Sequence, residues 1–182
     1  MAHLGFERGN DIDVAALFAA IGERRTLERL SWRQVADQIW QQSAILNLRR
    51  PHDHPISPST ISRMATRTET SCQHALFFLR WLGRTPESFV PAAAGGPCDR
   101  PLPAAGPDRR LRWDLKLLYA ALDAQRRQRA LTWRTAALEL GCSPSQLTGL
   151  RSARFATGLT LAMRIVRWLD RPAADFVYAA RW

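Results

Sequence analysis

The chain contains the same unit twice. Residues 17–32 read LFAAIGERRTLERLSW and residues 118–133 read LYAALDAQRRQRALTW, equal in length and matched at most apolar positions. The match resumes downstream: ISPSTISRMA from Ile56 aligns with CSPSQLTGLR from Cys142, and LRWLGRTPESFV with VRWLDRPAADFV. In both segments the phenylalanine follows the tryptophan by eight residues, Trp81 to Phe89 and Trp168 to Phe176. A duplicated pattern has to bury the same apolar positions twice, so one structural solution has to serve both segments.

Each segment reads as helical. Leu117, Leu118, Ala121 and Leu122 fall at helical spacing. Thr132 stands where a cap would start a helix over 133–140, stopped by Gly141. Ser143 followed by Pro144 is a second start signal, a capping serine with proline at the first helical position. A further helix is predicted over 159–169 and a short one after Pro172, with no alternating strand pattern in competition. The expectation is an all-α chain with five short helices per repeat. Trp32, Trp81, Trp133 and Trp168 occupy equivalent positions and read as core. Between the repeats, residues 91–110 read PAAAGGPCDRPLPAAGPDRR, a Pro/Gly/Ala linker expected to behave as a flexible coil. The boundaries are therefore 1–90, 91–110 and 111–182.

The formal charge is +10 at pH 7, with a pI near 11.2. A chain this basic is suited to a polyanion, and nucleic acid is the commonest. Lys116 is the lone lysine. The arginine bias fits phosphate and guanine recognition, and equally fits an arginine-rich codon usage. Cys72, Cys98 and Cys142 make neither a disulfide framework nor a zinc knuckle, which points to a reducing cytoplasm. No apolar stretch predicts a membrane span, and no signal peptide is read at the N-terminus. His52-Asp53-His54 is read as a charged loop and not as a metal site, because adjacent residues bounded by prolines do not converge on one ion. Phosphate-loop, nucleophile-elbow and zinc-protease motifs are all missing, so no catalysis, metal or cofactor is expected.

Residues 131–154, LTWRTAALELGCSPSQLTGLRSAR, combine a helix, a glycine turn and a capped second helix. This unit resembles the lambda-repressor-like (XRE-type) helix-turn-helix family. The resemblance is carried by Leu131, Thr132, Ala137, Gly141, Ser143 and Leu147, and in the first repeat by Leu30, Ser31, Ala36, Ser57 and Ile61. It implies two repeated five-helix helix-turn-helix domains on one chain. It also implies a second helix of each unit lying in the major groove of double-stranded DNA. Base edges would then meet Ser59, Thr60, Ser62 and Arg63 in one repeat, and Ser145, Gln146, Thr148 and Gly149 in the other. Gln146 is matched to adenine and Arg63 to guanine. Arg67, Arg151 and Arg154 suit phosphates, as do Arg33, Gln34 and Arg134 at the start of the preceding helices.

Two departures from the family pattern stand out. Residues 42–56, QSAILNLRRPHDHPI, are inserted between the helices of the first unit, and Gly149 occupies a position where the family often carries a base-reading side chain. The insertion is read either as a helix extended through Leu46 with a basic loop at Arg49-Arg50-Pro51, or as a protein contact. The function expected is a sequence-specific, cytoplasmic, nucleoid-associated transcriptional regulator acting as a covalent pseudo-dimer. The alternative is a protein-interaction scaffold in which one or both units contact protein.

Overall fold

The computed structural model describes residues 11–50, 52, 56–64, 67–91, 99–152 and 157–181. Among them the chain is mainly helical, with one small two-stranded sheet. The first half carries α1 (Val14–Leu27), α2 (Trp32–Gln41), α3 (Ala44–Leu48), α4 (Pro58–Met64), α5 (Cys72–Leu82) and a 3-10 turn over Glu87–Phe89. The second carries β1 (Arg110–Trp113), α6 (Leu115–Gln128), α7 (Trp133–Glu139), α8 (Pro144–Gly149), α9 (Leu159–Trp168), a 3-10 turn over Ala173–Phe176 and β2 (Val177–Ala180).

Local chemistry explains most of these boundaries. Asp13 caps α1 by accepting from the Ala16 amide, and Asp114 caps α6 by accepting from the Leu117 amide. Both helices end in a residue at positive φ, Arg29 at 54° and Ala130 at 51°. Ser31 and Gln34 form a reciprocal capping box at α2, while Thr132 caps α7 through the Thr135 amide. Ser71 caps α5, which stops at Gly83 with φ 67°, a conformation that glycine adopts without a Cβ penalty.

Tertiary contacts recur in the two halves. Phe18 stacks on Trp32 and Tyr119 on Trp133, with Arg25 and Arg126 lying over the indoles. The Trp81 indole N–H donates to Gln38 and that of Trp168 to Glu139, both at 2.8 Å. Arg84 covers Phe89 and Arg171 covers Phe176. One apolar cluster runs through both halves, including Leu17, Ile21, Leu76 and Phe78 on one side and Leu118, Leu122, Ile165 and Phe176 on the other. Trp81 is buried, and Trp32, Trp133 and Trp168 pack partly buried against the same cluster.

Three expectations are corrected. The chain is not wholly helical: β1 pairs antiparallel with β2, Arg110 opposite Ala180 and Trp113 opposite Val177. These are four-residue strands whose pairing partners lie at opposite ends of the second half, beyond the reach of a local pattern. The Pro/Gly/Ala segment is not a free coil over residues 99–109. Arg80 on α5 donates to the Ala105 carbonyl at 2.6 Å, to Gly106 at 3.4 Å and to Arg109 at 3.3 Å. Leu102 and Ala105 pack partly buried against the core.

The insertion does not prolong α2, which ends at Gln41. It turns at Ser43 and forms α3, whose Leu46 and Asn47 are buried. Asn47 accepts from the buried Arg110 guanidinium at 3.1 and 2.5 Å, and the Leu46 amide donates to Pro107 at 3.2 Å. The first half of the insertion therefore clamps residues 105–110 of the same chain through Ser43, Leu46 and Asn47, while Ile45 and Leu48 of α3 stay exposed.

Candidate nucleic-acid interface

Two short exposed helices follow buried ones at matching points of the halves. In the second half α7 passes through Gly141, at φ 61°, into α8, which Ser143 caps in a reciprocal box with Gln146. Leu147 is fully buried and anchors α8 to α7, where Ala136 and Ala137 are also buried. Small alanines permit this close helix approach. The turn is held from outside by Arg164 of α9, which donates to the carbonyls of Leu140 at 3.3 Å and Gly141 at 2.9 Å.

In the first half α4 packs on α2 in the corresponding way, in spite of the insertion between them. Ile61 is fully buried, as are Val35 and Ile39 of α2, with Ala36 nearly so. Ser57 accepts from the Thr60 amide at 3.2 Å and so starts α4.

The residues expected at the interface are exposed. These are Arg33, Gln34, Ser59, Ser62, Arg63, Arg67, Arg134, Ser145, Gln146, Thr148, Gly149 and Arg151. Thr60 is only half-exposed, and its hydroxyl is shared with Ser57 at 2.9 Å. Arg154 lies outside the described residues. Arg151 follows α8 in a 3-10 turn, and Arg33 and Arg134 occupy the first turns of α2 and α7.

Several side chains are already committed within their own helices. The Ser62 hydroxyl donates to the Ser59 carbonyl and that of Thr148 to Pro144. Gln146 accepts from the Ser143 amide at 2.8 Å and from its hydroxyl at 3.1 Å, so reading adenine with both amide atoms requires Gln146 to leave the box. Gln34 is held in the same manner by Ser31. Arg63 stays exposed near the end of α4.

The distribution of ion pairs separates these cations from others. Arg24, Arg126, Arg127, Arg129 and Arg171 pair with carboxylates. Arg33, Arg67, Arg134 and Arg151 make no ion pair among the described residues. Beside α8 a groove of about 280 Å³ is lined by Ser145, Gln146, Gly149, Leu150, Thr157, Gly158 and Leu161.

Other chemistry is weakly provided. Burial pushes the Cys72 and Cys142 thiols up, away from the thiolate form a nucleophile needs. Burial, assisted by Arg67, lowers the pKa of His74. His52 is exposed, whereas Asp53 and His54 lie outside the described residues. No group of three metal-ligating side chains gathers among the described residues. None of their helices is long and apolar enough to cross a membrane. Sequence reasoning missed Arg164 and its partner Asp11, since nothing local marks two residues 153 positions apart as neighbours.

Comparison with family models, curated proteins and solved structures finds no match to this chain.

Proposed function

We propose that the chain is a sequence-specific double-stranded DNA-binding protein, a transcriptional regulator built from two lambda-repressor-like helix-turn-helix domains on one polypeptide. The observation that carries the reading is the matched pair α4 and α8. α4 is anchored by the buried Ile61 and Met64 and α8 by the buried Leu147, and both turn polar residues outward. Arginines without carboxylate partners among the described residues flank each helix. This is what a groove-reading helix requires, namely a rigid seat, an exposed polar face and uncompensated positive charge for phosphates. The net charge of +10 supplies the long-range attraction.

The scaffold alternative draws on the insertion, yet Ser43, Leu46 and Asn47 are engaged inside the chain. Titrating the full chain against duplex DNA at several salt concentrations tests the proposal. The logarithm of the affinity is expected to fall steeply and linearly with the logarithm of salt concentration. Failure to bind any duplex at low salt would exclude the reading and favour a protein partner.

A further inference from the structure

The two halves meet through contacts that are copies of one another with the halves exchanged. Ser71 stands ten residues before Trp81, and Gly158 ten before Trp168, so they are equivalent positions. They face each other in an antiparallel bridge. The Cys72 amide donates to the Thr157 carbonyl at 2.9 Å, and the Leu159 amide donates to the Thr70 carbonyl at 2.7 Å. Cys72 and Leu159 are equivalents, as are Thr70 and Thr157, so each bond is the image of the other.

A second pair of contacts repeats the exchange between corresponding elements, though not between equivalent residues. Gln73 of α5 reaches the Leu111 carbonyl just before α6, and Arg164 of α9 reaches Asp11 just before α1. Head-to-tail packing cannot generate reciprocal contacts between equivalent residues; an approximate two-fold axis does.

The bridge lies beside one reading helix and a short stretch of chain from the other. Seven residues separate Met64, the end of α4, from Ser71 at the bridge, a reach of about 25 Å at most. Gly149 and Gly158 line one groove in the other half, which places α8 beside the bridge. Adding the roughly 10 Å length of α4 puts the whole of that helix within about 35 Å of the bridge.

The halves differ at one reading position. Six residues after its capping serine, α4 carries Arg63 and α8 carries Gly149. A Cβ built at Gly149 meets nothing within 4 Å, so no neighbour dictates the glycine.

We propose that this chain recognises an inverted pair of half-sites unequal in content, the half under α4 specified at a guanine by Arg63 and the half under α8 unspecified there. The inference rests on the DNA-binding reading. A two-fold axis reverses the second helix relative to the first, which inverts the half-sites. The difference between Arg63 and Gly149 removes one readout from one of them.

The test is a selection from random duplexes with the full chain, repeated with Gly149→Arg and with Arg63→Ala. The wild-type chain should enrich an inverted, imperfect repeat. Gly149→Arg should restore the missing base and bind the symmetrised duplex about tenfold more tightly than the wild type does. Arg63→Ala should instead make the halves alike by losing the preference, and it serves as the check if the arginine variant does not fold. A direct repeat, a lone half-site, or DNA captured without any enriched motif overturns this inference and leaves DNA binding standing. Unchanged motifs in both variants overturn the roles of Arg63 and Gly149. No capture of DNA at all removes the underlying reading, and this inference with it.

Discussion

Arg164 and Asp11, 153 positions apart, form a two-pronged ion pair with N···O distances of 2.8 and 2.6 Å. The same guanidinium holds the carbonyls of Leu140 and Gly141, so one side chain ties the N-terminal segment of the first half to the turn between α7 and α8. Hydrogen bonding to Asp11 raises the Arg164 pKa further, which keeps the cation charged at any working pH. Asp11→Ala should lower stability by about 2 kcal/mol in urea denaturation, the usual worth of hydrogen bonds to a charged group at a partly exposed site. Arg164→Ala should cost more, because it also frees the turn carbonyls. Equal losses in the two variants would show that the turn contacts contribute nothing.

Arg80 gathers five acceptors without a carboxylate: the hydroxyl of Ser43 and the carbonyls of Gln42, Ala105, Gly106 and Arg109. Lysine has three donors and no planar fork, so Arg80→Lys should cost about 2 kcal/mol and release residues 99–109. Amide hydrogen exchange over that segment should accelerate ahead of the helical core. Exchange that speeds up uniformly across the chain would contradict the clamp.

Glu87 bridges the halves by accepting from the Ala173 amide at 2.6 Å. Burial pushes its carboxyl above the ordinary value of 4.5, with Asp99 adding to the rise and the Ala173 amide and Arg100 opposing it. A folded-state value above the unfolded one means the folded chain holds the proton longer. Stability from this group is therefore present at low pH and is lost as pH rises from about 4.5 through the folded pKa. Glu87→Gln keeps an acceptor and removes the titration. Its melting temperature relative to wild type should rise between pH 4 and pH 7; parallel curves would refute the assignment.

Arg33 and Arg134 hold equivalent first-turn positions on α2 and α7, exposed and without ion pairs among the described residues. Each replaced by alanine should weaken binding to all duplexes alike and reduce the salt slope by about one unit, as loss of one phosphate contact does. A change in base preference in place of a change in slope would move these residues from backbone to base contacts.

Gly149 is the last residue of α8, with open space around its missing Cβ. Gly149→Ala should therefore stabilise the fold by up to about 1 kcal/mol through helix propensity. The gain should appear as a higher urea midpoint with an unchanged denaturant slope. Destabilisation would mean that α8 needs glycine for a reason other than its backbone.

What could be read from the residues alone was what short-range physics writes into them. The duplicated apolar spacing, the caps at Thr132 and Ser143 and the stop at Gly141 act within a turn or two of chain, and the helices begin and end close to where these signals place them. Exposure of the α4 and α8 polar residues follows from the same periodicity. The strand pair, the docking of residues 99–109, the clamp of Asn47 on Arg110 and the bridge at Ser71 and Gly158 depend on partners 25 to 87 positions away. No local pattern encodes such meetings, because an arginine such as Arg80 or Arg164 reads the same in sequence whether it ends on a carbonyl, a carboxylate or in water. Only the closed structure decides which of these it finds, since the competing acceptors come within reach only once the cores have formed.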